Sequence, residues 1–518
     1  MPSSSFVPVR GVLGRLSLGL IAAAGIVVGL ATEAFGQAGE LTDDVQRLVS
    51  KGKFGNAKVG VCILDHESGE VLGSYNAERA MTPASNMKLL SSGAALMVLG
   101  ADFVFRTELV RIGDKIVVRA GGDPALADPE VLDETEPKLT VNDVFDVLAG
   151  AVKKEGMASV TEVVVDDRVF DREFLHPEWP SRNLMMPHSA EVAGLNFYAN
   201  VMAVFPKPSR EGVGRPPAFS LEPSIPWMPI ENKARTVGTG QNSPWLSREP
   251  KDNRFVLRGD VRQALQDGIR VPVHNTPELF GLVLAQHLNE KGIQVGAEVR
   301  SREERPVGVR MAESAEDLTG GKVIAVVTTP MSQVLERCNA DSMNLYAEAL
   351  LKRAGHEVTK EPGSWANGTA VVRMMLTEKL GAEYASGTTI TDGSGISRSN
   401  AVAPATFARW LSVVAADRKL RDLYTESMAK PGSGTLRKRF QGVKLTNDLR
   451  AKSGFIDGVR SLSGYVVDSK TGRRVCFSVM INDIKTGDQT QAAIDLHEDV
   501  VIAIDKWLNK QGAPRSGG

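Results

Sequence analysis

The two ends of this chain share one texture, and the long stretch between them has another. Near the start, Ala57 to Leu64 and Glu70 to Tyr75 alternate apolar and polar residues around His66-Glu67-Ser68-Gly69, the pattern of a hairpin. Thr82-Pro83-Ala84-Ser85 then opens a helical run from Asn86 to Leu99, apolar at Leu89, Leu90, Ala94, Leu96 and Val98. Helical patterning returns after Met331, in Leu345–Ala354 and Ala370–Leu380. Arg460–Asp468 and Arg474–Ile481 read as strands, and Ala492–Leu508 as a closing amphipathic helix. Between about Phe105 and Val326 the chain changes to short strand candidates, turns and few long helices. The Pro- and Gly-rich middle of this stretch, about Pro206 to Asn253, reads as an insertion within an insertion. No internal repeat or long low-complexity tract is present.

The 518 residues suggest about three domains, or one domain carrying large insertions. Lys and Arg number 61 against 62 Asp and Glu, which argues against nucleic-acid binding through overall basicity. Aromatics at 6% leave little for base stacking. Three cysteines cannot all pair. Cys62 and Cys476 lie in apolar strand-like runs and are expected to be small buried hydrophobes, with Cys338 also packed. At the start, Arg10 and Arg15 precede an apolar run from Leu16 to Ala31, and Ala34, Gly36 and Ala38 follow. That is the form of a signal peptide over residues 1–38, cleaved after Gly36 or Ala38, and it predicts an exported protein with at most peripheral membrane contact. Residues 512–518 are expected to form a flexible tail.

Candidate chemistry is narrowed first by what is missing. Seven His are scattered with no H-E-x-x-H and no paired i,i+4 spacing, so zinc has little support. There is no G-x-S-x-G elbow and no G-x-x-x-x-G-K-[ST] loop. A Ser–Lys pair offers a base that needs neither His nor metal. At i and i+3 on a helix, the Lys reaches the Ser hydroxyl, and in a dry cationic pocket its pKa falls enough to accept a proton.

S-x-x-K occurs at Ser50–Lys53, Ser85–Lys88 and Ser427–Lys430. The first runs into glycines and the third into Pro431-Gly432. Only Ser85 stands at the start of a long apolar helix, where its backbone N–H is unpaired and available to an oxyanion. A second element, S-x-N, would relay protons and hold a substrate amide. Ser342-Met343-Asn344 opens a strong helix, whereas Ser181-Arg182-Asn183 lies in a Pro-rich loop and Tyr198-Ala199-Asn200 only mimics the motif. Ser342 is preferred, because rigid elements position chemistry better than loops. A third element, K-[ST]-G, would offer a cation on a strand edge to a carboxylate. Lys470-Thr471-Gly472 separates two strand runs as a hairpin turn, and Lys485-Thr486-Gly487 follows the last strand. Lys452-Ser453-Gly454 alone leaves two strands and a helix after it.

With these motifs in order, the chain resembles the penicillin-recognising serine peptidases. Within them it is similar to the class C low-molecular-mass penicillin-binding proteins, the D-alanyl-D-alanine carboxypeptidase/endopeptidase family. The likeness rests on Pro83-Ala84-Ser85-Asn86-Met87-Lys88, Ser342-Met343-Asn344 with Ala347-Glu348, and Asp392-Gly393-Ser394-Gly395-Ile396-Ser397-Arg398. Gly434-Thr435-Leu436 and Ala451-Lys452-Ser453-Gly454 with Leu462-Ser463-Gly464-Tyr465 complete it. Ser342 follows Ser85 by 257 positions (342 − 85), a gap that this family fills with extra domains and class A β-lactamases do not.

The resemblance implies an α+β, β-lactamase/transpeptidase-like catalytic domain, an antiparallel sheet flanked by helices. It would comprise residues 39–104 and 328–511, with large, mainly β inserted domains over 105–327 and a nested insertion near 196–258. It further implies a periplasmic enzyme that acts on peptidoglycan stem peptides, is inhibited by β-lactams, and uses no cofactor or metal. Ser85 would attack the carbonyl between two D-amino acids, Lys88 would act as base, and Ser342, with Lys452, would protonate the leaving amine. Asn344 would bind the substrate amide, and Lys452 with Ser453 its terminal carboxylate. The N–H groups of Ser85 and Phe455, after Gly454, would form an oxyanion hole. The family usually has Thr at Ser453 and a small or hydroxylated residue at Phe455. Asp166 is a weaker candidate, for an amino group on the stem peptide. Asp392 is expected to anchor a tight turn rather than a calcium loop. Two other readings stay open: a β-lactamase or esterase on the same scaffold, and a non-catalytic wall-binding protein.

Overall fold

The computed structural model describes residues 39–297 and 301–511; the expected signal peptide over 1–38 and the expected tail over 512–518 lie outside the described residues. Its centre is a five-stranded antiparallel sheet. The strands run in the spatial order Asp448–Ile456, Val459–Val467, Arg474–Asn482, Lys58–Asp65, Val71–Tyr75, so the two ends of the chain are zipped into one sheet. The join pairs Lys58 with Asn482 through to Asp65 with Val475.

Side-chain alternation explains why both faces are apolar. Val59, Val61 and Ile63, with Val475, Phe477, Val479 and Ile481, pack with Leu496, Val500 and Ile504 of the terminal helix Gly487–Gln511. Cys62, Leu64, Cys476 and Met480 face the other way, into a core shared with the helices Met87–Leu99 and Pro404–Ala416. A sheet covered on both sides reads as continuous hydrophobic runs, and that is how these strands look in sequence. Cys62, Cys338 and Cys476 are free thiols buried in these layers. Met87–Leu99 is buried over nearly its whole length, and Trp410 and Tyr424 both donate to the carbonyl of Leu89 (2.9 and 2.6 Å).

The middle stretch joins this core through a stem. Strands Val104–Ile112 and Lys322–Pro330 pair antiparallel, Val104 opposite Pro330, so the chain leaves and returns at adjacent points. Met331 N–H donates to Phe103 C=O at 3.0 Å, and the helix Met331–Asn339 begins there. The stem strands belong to a second five-stranded sheet, completed by Lys115–Arg119, Val163–Asp166 and Val309–Met311. Small sheets built from short strands follow between residues 201 and 272. Strands predominate in number, yet two long helices, Val141–Lys154 and Thr276–Glu290, carry much of the inserted core, with the Phe145 and Phe280 rings 5.2 Å apart. A Thr140/Asp143 capping box starts the first helix.

Phe477 is fully buried in the strand that joins both chain ends. Phe477→Ala is expected to cost about 3–5 kcal/mol, read as a lowered urea midpoint at unchanged m-value.

Candidate active site

The site is assembled on a turn. Ala84–Asn86 form one turn of 3-10 helix, Ala84 at φ +48, before the helix Met87–Leu99 begins. Strand Val459–Val467 grips the turn: Ser461 Oγ donates to Pro83 C=O at 2.7 Å, and Asn86 Nδ2 donates to Ser463 Oγ at 2.5 Å. Gly454 explains how the neighbouring strand approaches. A Cβ there would lie 2.1 Å from Ser461 Oγ, 2.8 Å from Pro83 O and 3.1 Å from Ser85 N. Gly395, at φ +87, is confined in the same way, since its Cβ would meet Ala84 O at 1.9 Å. Both glycines let backbone pack against backbone around Ser85.

One helical turn after Ser85, the Lys88 side chain is fully buried. Its Nζ donates to Ser85 Oγ at 3.1 Å, Asn344 Oδ1 at 2.6 Å and Ser394 C=O at 3.0 Å. Burial brings its pKa down to about 8, against the opposing pull of Cys338, Glu348 and Asp392. Lys452, on the strand Asp448–Ile456, is also fully buried, and its Nζ donates to Ser453 C=O at 2.8 Å. Burial, and then the charge of Lys88, lowers its pKa well below the ordinary lysine value. Two cations in one dry site favour an anionic guest and keep each other prone to lose a proton.

Asn344 opens the helix Asn344–Thr359, and its Nδ2 donates to His188 C=O at 2.7 Å. Ser342 lies just before it at φ +65. Ser85, Ser342, Asn344, Ser453 and Phe455 line one cleft of 510 Å³. Phe455 is 65% exposed at its mouth, with the Arg460 guanidinium 3.9 Å from the ring centre.

Behind Lys88 lie two buried carboxylates. Glu348 accepts from Gly393 N (2.9 Å), Ser394 N (2.8 Å) and Trp365 Nε1 (2.9 Å), and burial followed by repulsion from Asp392 raises its pKa to about 7. Asp392 accepts from Gly395 N, Ser397 N, Asn400 Nδ2 and Trp179 Nε1 at 2.7–3.0 Å. Its oxygens are occupied by N–H donors, so it anchors a turn whose Ser394 carbonyl holds Lys88.

Asp166 stands apart from this cluster. It ends an inserted strand, the Arg168 guanidinium binds both its oxygens (2.7 and 2.9 Å), and it does not line the cleft. In this structure its carboxylate is engaged by Arg168 rather than grouped with Ser85 and Lys88. The inserted stretch contributes Pro180, Arg182, Asn183 and His188 to the cleft instead. Arg182 and Asn183 belong to the Ser181–Asn183 string set aside above as a loop. Its backbone forms a 3-10 turn at the cleft wall, a placement that only tertiary structure provides. Arg398 and Thr435 also line the cleft, and both had a sequence signal in the flanking signatures. The other motif matches lie elsewhere. Ser427 Oγ is buried and accepts from Asn339 Nδ2 at 2.9 Å; Lys470 sits in a hairpin turn tied by Asp468; Lys485 precedes the terminal helix. Among the described residues no His/Cys/Asp/Glu group is arranged to hold a metal ion.

Gly395→Ala combines a left-handed backbone with a clash against Ala84 O. The expected cost is about 2 kcal/mol or more, read as a lower urea midpoint, whereas the unconfined Gly150→Ala stays at or above the parent.

The chain is 27% identical over 487 residues to a D-alanyl-D-alanine carboxypeptidase of Actinomadura sp., covering 91% of this chain and 86% of the relative. It is 24% identical over 454 residues to the D-alanyl-D-alanine carboxypeptidase DacB of Haemophilus influenzae, covering 83% and 87%. The crystal structure of penicillin-binding protein 4 (DacB) from Haemophilus influenzae shares the fold at a TM-score of 0.69 and 22% identity, over 88% of this chain and 99% of that one. Its complex with a β-lactam superposes at 0.64. Residues 41–501 match the D-Ala-D-Ala carboxypeptidase 3 (S13) family, and the chain belongs to that family.

Proposed function

We propose that this protein is a serine D-Ala-D-Ala carboxypeptidase acting on peptidoglycan stem peptides, with Ser85 as the nucleophile and β-lactams as acylating inhibitors. The observation that carries the reading is the contact of a buried, low-pKa Lys88 with Ser85 Oγ at 3.1 Å. In its neutral form Lys88 Nζ accepts the hydroxyl proton as Oγ bonds to the carbonyl carbon between two D-alanines. The N–H groups of Ser85 and Phe455 hold the resulting oxyanion, each worth about 3–4 kcal/mol in the transition state. The carbon–nitrogen bond then breaks, and the leaving amine takes its proton through Ser342, with Lys452 behind it. Water attacks the acyl-enzyme and Ser85 regains its proton. Asn344 aligns the substrate amide. Lys452 and Ser453 receive the terminal carboxylate, which the paired buried lysines support electrostatically. Cleavage of D-alanyl–diaminopimelate cross-links is the same chemistry on a longer leaving group.

Residues 39–104 and 328–511 make the catalytic domain in this reading, and 105–327 the insertion, supported by the sheet that joins the chain ends. Export to the periplasm rests on the leader pattern in residues 1–38; no helix among the described residues is long and apolar enough to cross a membrane.

Fluorescent penicillin should form a long-lived adduct with the protein, and stem pentapeptide should lose D-Ala; Ser85→Ala should abolish both. Rapid turnover of the adduct would point to a β-lactamase, and no adduct to a wall-binding role. The acylation rate should rise about tenfold per pH unit below 8 and level off above it, because the neutral form of Lys88 is the base and burial lowers its pKa to about 8. Lys88→Arg, which cannot shed its proton, should show no such rise.

A further inference from the structure

Ser342 adopts a left-handed backbone at φ +65, a region costly for a residue with a Cβ. Its neighbours on both sides are held by one residue. Arg337 Nη1 donates to Asp341 Oδ2 at 2.6 Å, and the Met343 N–H donates to the Arg337 carbonyl at 3.0 Å. The Arg337 side chain is only 6% exposed, and its guanidinium is fixed from the far side by the inserted stretch: Asp128 Oδ2 at 3.3 Å and Glu130 Oε2 at 2.7 Å. Tyr346 Oη donates to the same Asp128 oxygen at 2.6 Å, from the helix that Asn344 opens. The other Asp128 oxygen accepts from Glu130 N at 3.0 Å, capping the helix Pro129–Asp133. A continuous run of short contacts therefore leads from the insertion to both flanks of Ser342.

We infer that Arg337 is a positioning residue for Ser342, and that Asp128 makes the inserted stretch a structural part of the catalytic machinery. The inference rests on the reading of Ser342 as the proton-relaying hydroxyl. A buried guanidinium held by three carboxylates is a rigid, directional support. The Ser342 hydroxyl needs such support, since a displacement of about 1 Å costs on the order of a hundredfold in rate.

Arg337→Ala would leave Asp128 buried beside two further carboxylates and is prone to misfold. Asp341 gives the cleaner test. It is 35% exposed, and its loss leaves Arg337 paired with Asp128 and Glu130. In the full chain, Asp341→Ala should lower kcat on a D-Ala-D-Ala peptide by about tenfold or more, with KM within about twofold and the melting temperature near the parent's. Asp341→Asn, which keeps an acceptor oxygen for Arg337, should recover most of that loss. Asp128→Asn should lower kcat in the same KM-independent way. Parental kcat in Asp341→Ala overturns the positioning role, as does a loss that Asn does not recover; parental kcat in a folded Asp128→Asn overturns the link to the insertion. Ser342→Ala separates the two levels. Loss of activity there beside a fully active Asp341→Ala defeats only this inference, whereas an active Ser342→Ala defeats the reading of Ser342 itself.

Discussion

The burial of the Lys88 ammonium is the constraint that the rest of the site answers to. Taking one ammonium out of water costs several kcal/mol unless hydrogen bonds and counter-charge replace the lost solvation. Here the replacement comes from three separate places: the Ser85 hydroxyl, the Asn344 amide and the Ser394 carbonyl. Each belongs to a different segment, so lysine burial and domain assembly are one event. Glu348 and Asp392 hold the third partner in place and supply negative charge at a second remove. Incomplete compensation is what the chemistry needs, because a fully solvated or fully paired lysine would keep its proton at neutral pH.

A second consequence concerns the insertion. Its stem strands enter and leave side by side, which lets more than two hundred residues be accommodated without disturbing the sheet that joins the chain ends. Position in the fold still gives it two roles at the cleft. It lines the cleft with Pro180, Arg182, Asn183 and His188, and its Asp128 carboxylate pairs with the buried Arg337. His188 reaches the central cluster through its backbone, by accepting from Asn344. The same side chain that receives Lys88 on its oxygen is thus oriented by the insertion through its nitrogen.

Much of this was legible from residues alone, for a physical reason. The sheet strands are covered on both faces, so their apolar runs stand out, and the helix Met87–Leu99 that follows Ser85 is buried almost throughout. Local context also separates the repeated motifs structurally: Lys452 lies inside a sheet, while Lys470 lies in a turn. The surroundings of Asp166 were not legible, because a carboxylate at the end of an inserted strand looks unpaired in sequence. Its partner Arg168 is only two residues away, but an i,i+2 pair announces itself only once the backbone turns.

The sequence by itself determined the order of the motifs and the elements that carry Ser85, Lys88, Ser342, Asn344 and Lys452, because periodicity and motif context are local properties of the chain. Tertiary structure alone decided what stands around them. Lys88 loses its solvent only when two segments distant in sequence, at Asn344 and Ser394, close over it, Gly454 and Gly395 matter only where two backbones nearly touch, and Ser342 is held at φ +65 by an arginine that carboxylates of the insertion keep in place. Desolvation and close backbone approach depend on the distances between segments far apart in sequence, and no local pattern encodes those distances.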